Sequence, residues 1–303
     1  MAPRVGTHVK RRLSRRDWTE LSGVVTGSIL SCLGDIESLT VAEMVCKTWR
    51  EICKDPMLWR TIDFMSNHTK FMFRPLLHYD IVKMCRRTIH RSSGIFVYVN
   101  VDYFCNNELL KYITNNLVRI AFVADGSSFW RWPRISSDLV GLIRHLSLLN
   151  CGIITDEVLC EAALRLPVLE ELDISMCKFS SKALQVVRRC CPLLKSFKFN
   201  TPNGRKSSRQ YYSDEDAVAI SGTMHGLLLL EIRRNELTCN GLETILDCCP
   251  QLEILDLRKC KNLRYMSTDL EIRCVERIKK LWLSGPIDPS SISDLNLVGK
   301  LCY

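Results

Sequence analysis

The apolar positions follow two kinds of spacing, and the change falls near residue 93. Ahead of it the spacing is helical. Val25, Ile29, Leu30 and Leu33 lie on one face of a first helix. Leu39, Ala42, Val45, Cys46, Trp49 and Ile52 predict a second, with Ser38 as its N-cap. Asp55-Pro56 has the form of a cap followed by proline at the first helical position, and opens a third helix carrying Leu58 and Trp59. Pro75 opens a further helix, with Leu77, Ile81, Met84, Cys85 and Ile89 on one stripe, expected to pack against both its neighbours. The first three helices lie within residues 17–64, and a unit of about fifty residues buries only a thin core, so it needs a partner surface.

Beyond Ser92-Ser93-Gly94 a long period begins: apolar at i, i+3 and i+5, then Cys, Asn or a turn residue at i+8. Ile143, Leu146, Leu148 and Cys151 fit it, as do Leu169, Leu172, Ile174 and Cys177, and Leu252, Leu255, Leu257 and Cys260. Looser copies start at Leu194, Leu227 and Ile278, and degenerate ones at Gly94 (with Val97 and Val99) and Leu117 (with Ile120 and Phe122). Most steps are 25 or 26 residues. Between the strand segments run helical halves: Asp156 to Leu166, Ser181 to Cys190 and Gly241 to Cys248. Each stops at a proline before the next strand: Leu166-Pro167, Cys191-Pro192 and Cys249-Pro250. Neither a lone strand nor a lone helix of this length buries its apolar face, whereas stacked copies make one continuous core under a parallel sheet.

The first unit resembles the F-box. It carries Ile29-Leu30, Val45-Cys46-Lys47-Thr48-Trp49-Arg50 and Asp55-Pro56-Met57-Leu58-Trp59 in the family's order, over about a sixth of the chain. One departure is Ser22, which follows Leu21 where the family usually has proline. A generic three-helix bundle would account for the spacing alone; the ordered strings favour the F-box. The second unit, about two thirds of the chain, is similar to the cysteine-containing class of leucine-rich repeat, and the whole resembles the short plant F-box/leucine-rich-repeat proteins. The resemblance implies an α/β solenoid: an N-terminal three-helix F-box followed by a leucine-rich-repeat arc with parallel strands. The expected divisions are a basic arm at 1–16, the F-box at 17–64, a linker helix at 65–93 and about eight repeats at 94–303.

Charge and cysteine content alter this picture little. The formal charge is +9, and Arg4, Lys10, Arg11, Arg12, Arg15 and Arg16 precede any acidic residue. Such an arm reads as a nuclear import signal, a nucleic-acid contact or a solvated tail; without it the body is only mildly basic, which argues against a nucleic-acid-binding domain. The start of the chain lacks the apolar core of a secretory signal, and no run of about 18 apolar residues is present to span a bilayer. The sixteen cysteines therefore read as thiols of a reducing nucleus or cytoplasm. No Cys-x-x-Cys occurs, the histidines are scattered, and Gly204-Arg205-Lys206-Ser207 lacks the spacing of a phosphate-binding loop, so neither a cofactor, a metal nor a catalytic group is expected. Cys151, Cys177 and Cys260 read as weak donors serving backbone at the strand-to-loop corner. Cys190-Cys191 and Cys248-Cys249, at matching places in two repeats, read as packing residues.

Two stretches break the repeat. Asn203 to Asp216 is a polar insertion, either tolerated or a contact loop, and Trp130 and Trp132 fit a contact loop or core filling. The segment after Pro286 leaves a terminal cap and a truncated array both open.

The repeats offer a surface. Strand positions i+2, i+4 and i+6 point away from the core. From Phe96, Tyr98 and Arg119 this face passes through His145, Glu171, Asp173 and Lys198 to Glu231, Arg233, Asp256, Arg258 and Trp282. Aromatic and arginine residues at such positions suit an interface. The resemblance implies the substrate-recognition subunit of an SCF-type (Skp1, cullin, F-box) ubiquitin ligase, without chemistry of its own. Leu21, Ile29, Leu30, Leu33, Val45, Trp49, Leu58 and Trp59 would form or support the contact with a Skp1-type adaptor, and the arc would hold a protein substrate. The alternative is a repeat scaffold with no ligase, its F-box weakened at Ser22.

Overall fold

The computed structural model describes residues 21–33, 35, 38–64, 77–117, 143–201, 214–222 and 224–283. The basic arm, Arg119, Trp130, Trp132, nearly all of the 203–216 insertion and the segment after Pro286 lie outside the described residues.

The periodic part is an α/β solenoid. Among the described residues, eight strands pair in parallel and in chain order: β1 (Thr61–Asp63), β2 (Tyr98–Asn100), β3 (His145–Ser147), β4 (Glu171–Asp173), β5 (Ser196–Lys198), β6 (Leu229–Glu231), β7 (Ile254–Asp256) and β8 (Lys280–Trp282). From β3 onward each carries the predicted pattern, with Leu146, Leu172, Phe197, Leu230, Leu255 and Leu281 at i+3, all buried. Helices Asn107–Asn115, Asp156–Ala163, Ser181–Cys190, Glu215–Ser221, Cys239–Cys248 and Thr268–Arg277 close the other side of one continuous core.

The first two copies differ from expectation. The sheet begins at β1, inside the stretch read as F-box, with Trp59, Ile62 and Phe64 at i, i+3 and i+5. β2 pairs directly with β3, Tyr98 opposite His145; Ile120 and Phe122, of the copy written from Leu117, lie outside the described residues. That pairing also moves the start of the β2 repeat from Gly94 to Phe96. A slip of two residues keeps the same strand residues facing inward, but it carries Phe96 from an outward position to the core, where it is fully buried. Phe96 is therefore a core residue and not part of the outer face.

A repeated corner follows β2, β3, β4, β6 and β7. Tyr103, Asn150, Met176, Arg234 and Lys259, all at i+7, have φ between 57° and 67°, a left-handed conformation unusual for residues with a side chain. At this corner the i+7 N–H donates to the next repeat, as Asn150 does to the Ser175 carbonyl at 2.8 Å. The cysteine at i+8 then reaches back: Sγ of Cys151, Cys177 and Cys260 lies 3.2, 3.0 and 3.0 Å from the carbonyls of Val101, Leu148 and Ile232. The thiols thus act as the donors predicted for them. Cys191 and Cys249 are buried at equivalent helix ends, each N–H donating to the carbonyl four residues back.

The helical unit ahead of β1 is small. Helix Gly23–Leu30 is capped by Ser22, whose hydroxyl accepts from the Val25 N–H. The expected second helix is broken into a π-helical turn (Ser38–Ala42), a short helix (Glu43–Val45) and a helix (Lys47–Ile52). The break is Cys46, extended at φ −159°, its sulfur accepting from the Trp49 N–H. Asp55 caps a 3-10 turn, Pro56–Trp59, through the Met57 N–H at 2.9 Å. The turn runs straight into β1. Helix Leu77–Arg91 buries Cys85 and Ile89 in the solenoid core, while Arg91 pairs with Glu43 and lies over the Trp59 ring. The Asp35 carboxylate accepts from the Asp63 N–H at the edge of the sheet.

Candidate functional site

Two surfaces emerge. The first covers the helical unit. Its own core is Leu30, Ala42 and Cys53, with Trp49, Ile52 and Leu58 packed against them. So few buried groups leave apolar side chains in water: Val24 is 82% exposed, Met44 76% and Val41 61%, joined by Val25, Leu33, Val45 and Met57. Monomeric proteins rarely leave such a set uncovered. Of the residues predicted for this surface, Leu33 and Val45 are exposed, Leu21, Ile29, Trp49 and Leu58 are half-buried, and Leu30 and Trp59 are buried. Leu30 and Trp59 therefore stand apart from the exposed apolar set. Trp59 donates its indole N–H to the Cys53 carbonyl at 2.9 Å, whereas the Trp49 indole N–H is buried with no acceptor among the described residues. Val24, Val41, Met44 and Met57 were missed. The signal for Val24 was the sequence GVVTGSIL, apolar on nearly every side of an eight-residue helix.

The second surface is the outer face of the sheet. Side by side across β1–β8, position i+4 is occupied by Asp63, Asn100, Ser147, Asp173, Lys198, Glu231, Asp256 and Trp282. Over β6–β8 the charges close on one another. Arg233 pairs with Glu231 at 2.7 Å and with Asp256 at 2.9 Å, and Arg258 pairs with Asp256 at 2.6 Å while lying over the Trp282 ring. Burial acts to raise the Asp256 carboxyl, but hydrogen bonds from Arg258 and the charges of both arginines hold it below the usual carboxylate range. Asp256 is only 4% exposed, so this predicted contact residue is mainly an internal partner. Asn200 continues the closure, donating to Ser175 and Glu231 and accepting from the Arg233 N–H.

Over β2–β4 the arrangement is open. A groove of about 190 Å³ is lined by Tyr98, Asn100, Asp102, His145, Ser147, Leu149, Glu171, Asp173 and Lys198, among others. The Tyr98 and His145 rings stack at 4.0 Å, nearly parallel, and His145 Nδ1 lies 2.9 Å from the Glu171 carboxylate. Burial and the Asp63 charge push the Tyr98 phenol up. Asp102 is fully buried, and neither carboxylate oxygen has a partner in hydrogen-bond geometry among the described residues. Burial, with the charges of Asp173 and Asp63, pushes its carboxyl up to about 7, while the Leu149 backbone N–H and the Ser147 hydroxyl act to lower it. Sequence reasoning placed Tyr98, His145, Glu171, Asp173 and Lys198 here but missed Asp102, which it treated as a turn residue.

Among the described residues no group of three or more His, Cys, Asp or Glu is arranged to hold a metal ion, and no helix is long and apolar enough to cross a membrane.

Residues 25–65 match the F-box-like family model. The Arabidopsis thaliana F-box protein SKIP19 is 37% identical over 93% of this chain and 86% of its own length. F-box/LRR-repeat protein 9 of the same plant is 36% identical over 82% of this chain and 89% of its own. F-box/LRR-repeat protein 23 is 39% identical over 88% of this chain, which spans about half (53%) of that protein. With the helical unit, the parallel solenoid and these relatives in agreement, the chain belongs to the F-box/leucine-rich-repeat family.

Proposed function

We propose that this chain is the substrate-recognition subunit of an SCF-type ubiquitin ligase. Its helical unit docks a Skp1-type adaptor, and through it cullin, while the outer face of the sheet holds a protein substrate. The observation that carries this reading is the exposed apolar set around Val24, Val41 and Met44 on a unit too small to cover it. The chain performs no bond chemistry; it raises the local concentration of substrate beside a recruited enzyme and fixes its orientation. Ser22 has φ −61° and ψ 148°, values that proline also adopts, so the departure from the family pattern leaves the backbone path unchanged.

The test is capture of a purified Skp1-type adaptor by the full chain and by Met44→Asp and Val24→Asp. Both positions are exposed, so these variants keep the fold, whereas Trp49→Ala also strips packing from a core of three buried residues. Each should weaken adaptor binding at least tenfold. Full retention by Met44→Asp and Val24→Asp together would leave the scaffold reading, with no ligase.

A further inference from the structure

The groove over β2–β4 has an unusual balance of hydrogen-bonding groups. Both Asp102 oxygens and Asn100 Oδ1 are buried acceptors with no donor in hydrogen-bond geometry among the described residues. The Asn100 amide is oriented by its Nδ2, which donates to Asp63 Oδ1 at 3.2 Å, so its oxygen is the end left over. Buried acceptors without donors are uncommon because desolvation is not repaid. The neighbouring charges do not repair the deficit, since Asp173 and Glu171 add further negative charge and His145 is engaged with Glu171. Lys198 stands at the β5 edge of the groove, and no salt bridge joins it to Asp102. The Tyr98–His145 stack adds a flat aromatic wall.

We propose that this groove is a binding site for a single cationic side chain, an arginine by its donor count, presented by an extended segment of the protein partner. Three buried acceptors beside the Asp173 and Glu171 carboxylates call for a cationic, donor-rich ligand. A guanidinium offers five, in a fork that fits a carboxylate bidentately, and its plane suits an aromatic wall. A phosphorylated or acidic segment would meet Asp102, Asp173 and Glu171 as like charges. Lys198 limits the site to one cation by repelling a second. The proposal rests on the reading of the outer face as the substrate-holding surface, and it names the chemistry of what is held.

The experiment offers a random 12-residue phage-displayed peptide library to the purified full chain, and a Skp1-type adaptor to a second portion of the same preparation. Enriched peptides should share one arginine or lysine. Replacing that residue with citrulline or norleucine should cost at least tenfold in affinity, as should Asp102→Asn and, independently, Asp173→Asn in the protein. Glu253→Gln, paired with Lys279 outside the groove, should change nothing. Thermal melts of each variant confirm folding. Enrichment of acidic or uncharged peptides, enrichment of none, or unchanged binding to Asp102→Asn overturns the proposal. Adaptor capture is scored on the same preparations. Adaptor binding without a cationic peptide sinks the groove alone, and a cationic peptide bound without adaptor sinks the ligase reading alone.

Discussion

The two ends of the outer sheet face are built on one lattice of positions and treat buried carboxylates in opposite ways. Over β6–β8 Asp256 is gripped by Arg233 and Arg258, and its carboxyl is held low. Over β2–β4 Asp102 has no donor in hydrogen-bond geometry among the described residues, and its carboxyl is held high. Since the strands, corners and core are alike, the difference belongs to side-chain choice and not to the scaffold. One end is finished within the chain. The other, in the proposal above, is finished by something that arrives.

The largest expected effect comes from neutralising the open end. The folded Asp102 carboxyl keeps its proton to about pH 7, against an ordinary value of 3.8. Between those limits the folded state binds more protons than the unfolded one, so stability falls as pH rises, by up to about 4 kcal/mol. Asp102→Asn removes that loss: it should stabilise the free protein by a few kcal/mol at pH 8 and by almost nothing below pH 4, read from denaturant midpoints across pH. A variant less stable than the parent at pH 8 would break the comparison.

Next comes the mirror substitution. Asp256→Asn should destabilise by about 2 kcal/mol at pH 7, because two arginines lose a partly buried partner. Here the folded carboxyl lies below 3.8, so its stabilisation is present above that value and fades as pH falls through the folded one. Opposite signs for Asp102→Asn and Asp256→Asn are the sharpest statement of the contrast.

The smallest effect checks that the scaffold is shared. Cys177→Ala and Cys260→Ala each remove a thiol donor at 3.0 Å from a carbonyl of the preceding repeat. Each should cost about 1 kcal/mol, and the two losses should agree within about 0.5 kcal/mol. A wide disparity would mean that the ends differ in backbone as well as in charge.

How far the sequence could be read varied along the chain for physical reasons. From Ile143 onward the i, i+3, i+5 spacing sits on strands of matching length, and the thiol role of Cys151, Cys177 and Cys260 followed from their place. The first strand was hidden because Trp59, Ile62 and Phe64 serve two patterns at once, the end of the F-box string and the start of the sheet. Phe96 was misplaced because alternation cannot distinguish registers two residues apart; only pairing with His145 does. The break at Cys46 was invisible to spacing, since a cap that interrupts a helix leaves its apolar stripe nearly intact. Asp102 was missed because an aspartate at a turn is ordinarily solvated, and its burial arises from neighbouring strands distant in sequence.

The direct passage from the 3-10 turn at Pro56–Trp59 into β1, reinforced by Arg91 against Glu43 and by Asp35 against the Asp63 N–H, has a mechanical meaning. There is no slack between the helical unit and the sheet. In the proposed role, a captured protein rides at a set height and tilt, as on a jig rather than a leash. Reach, more than tightness of hold, then decides which of its lysines meets the incoming ubiquitin.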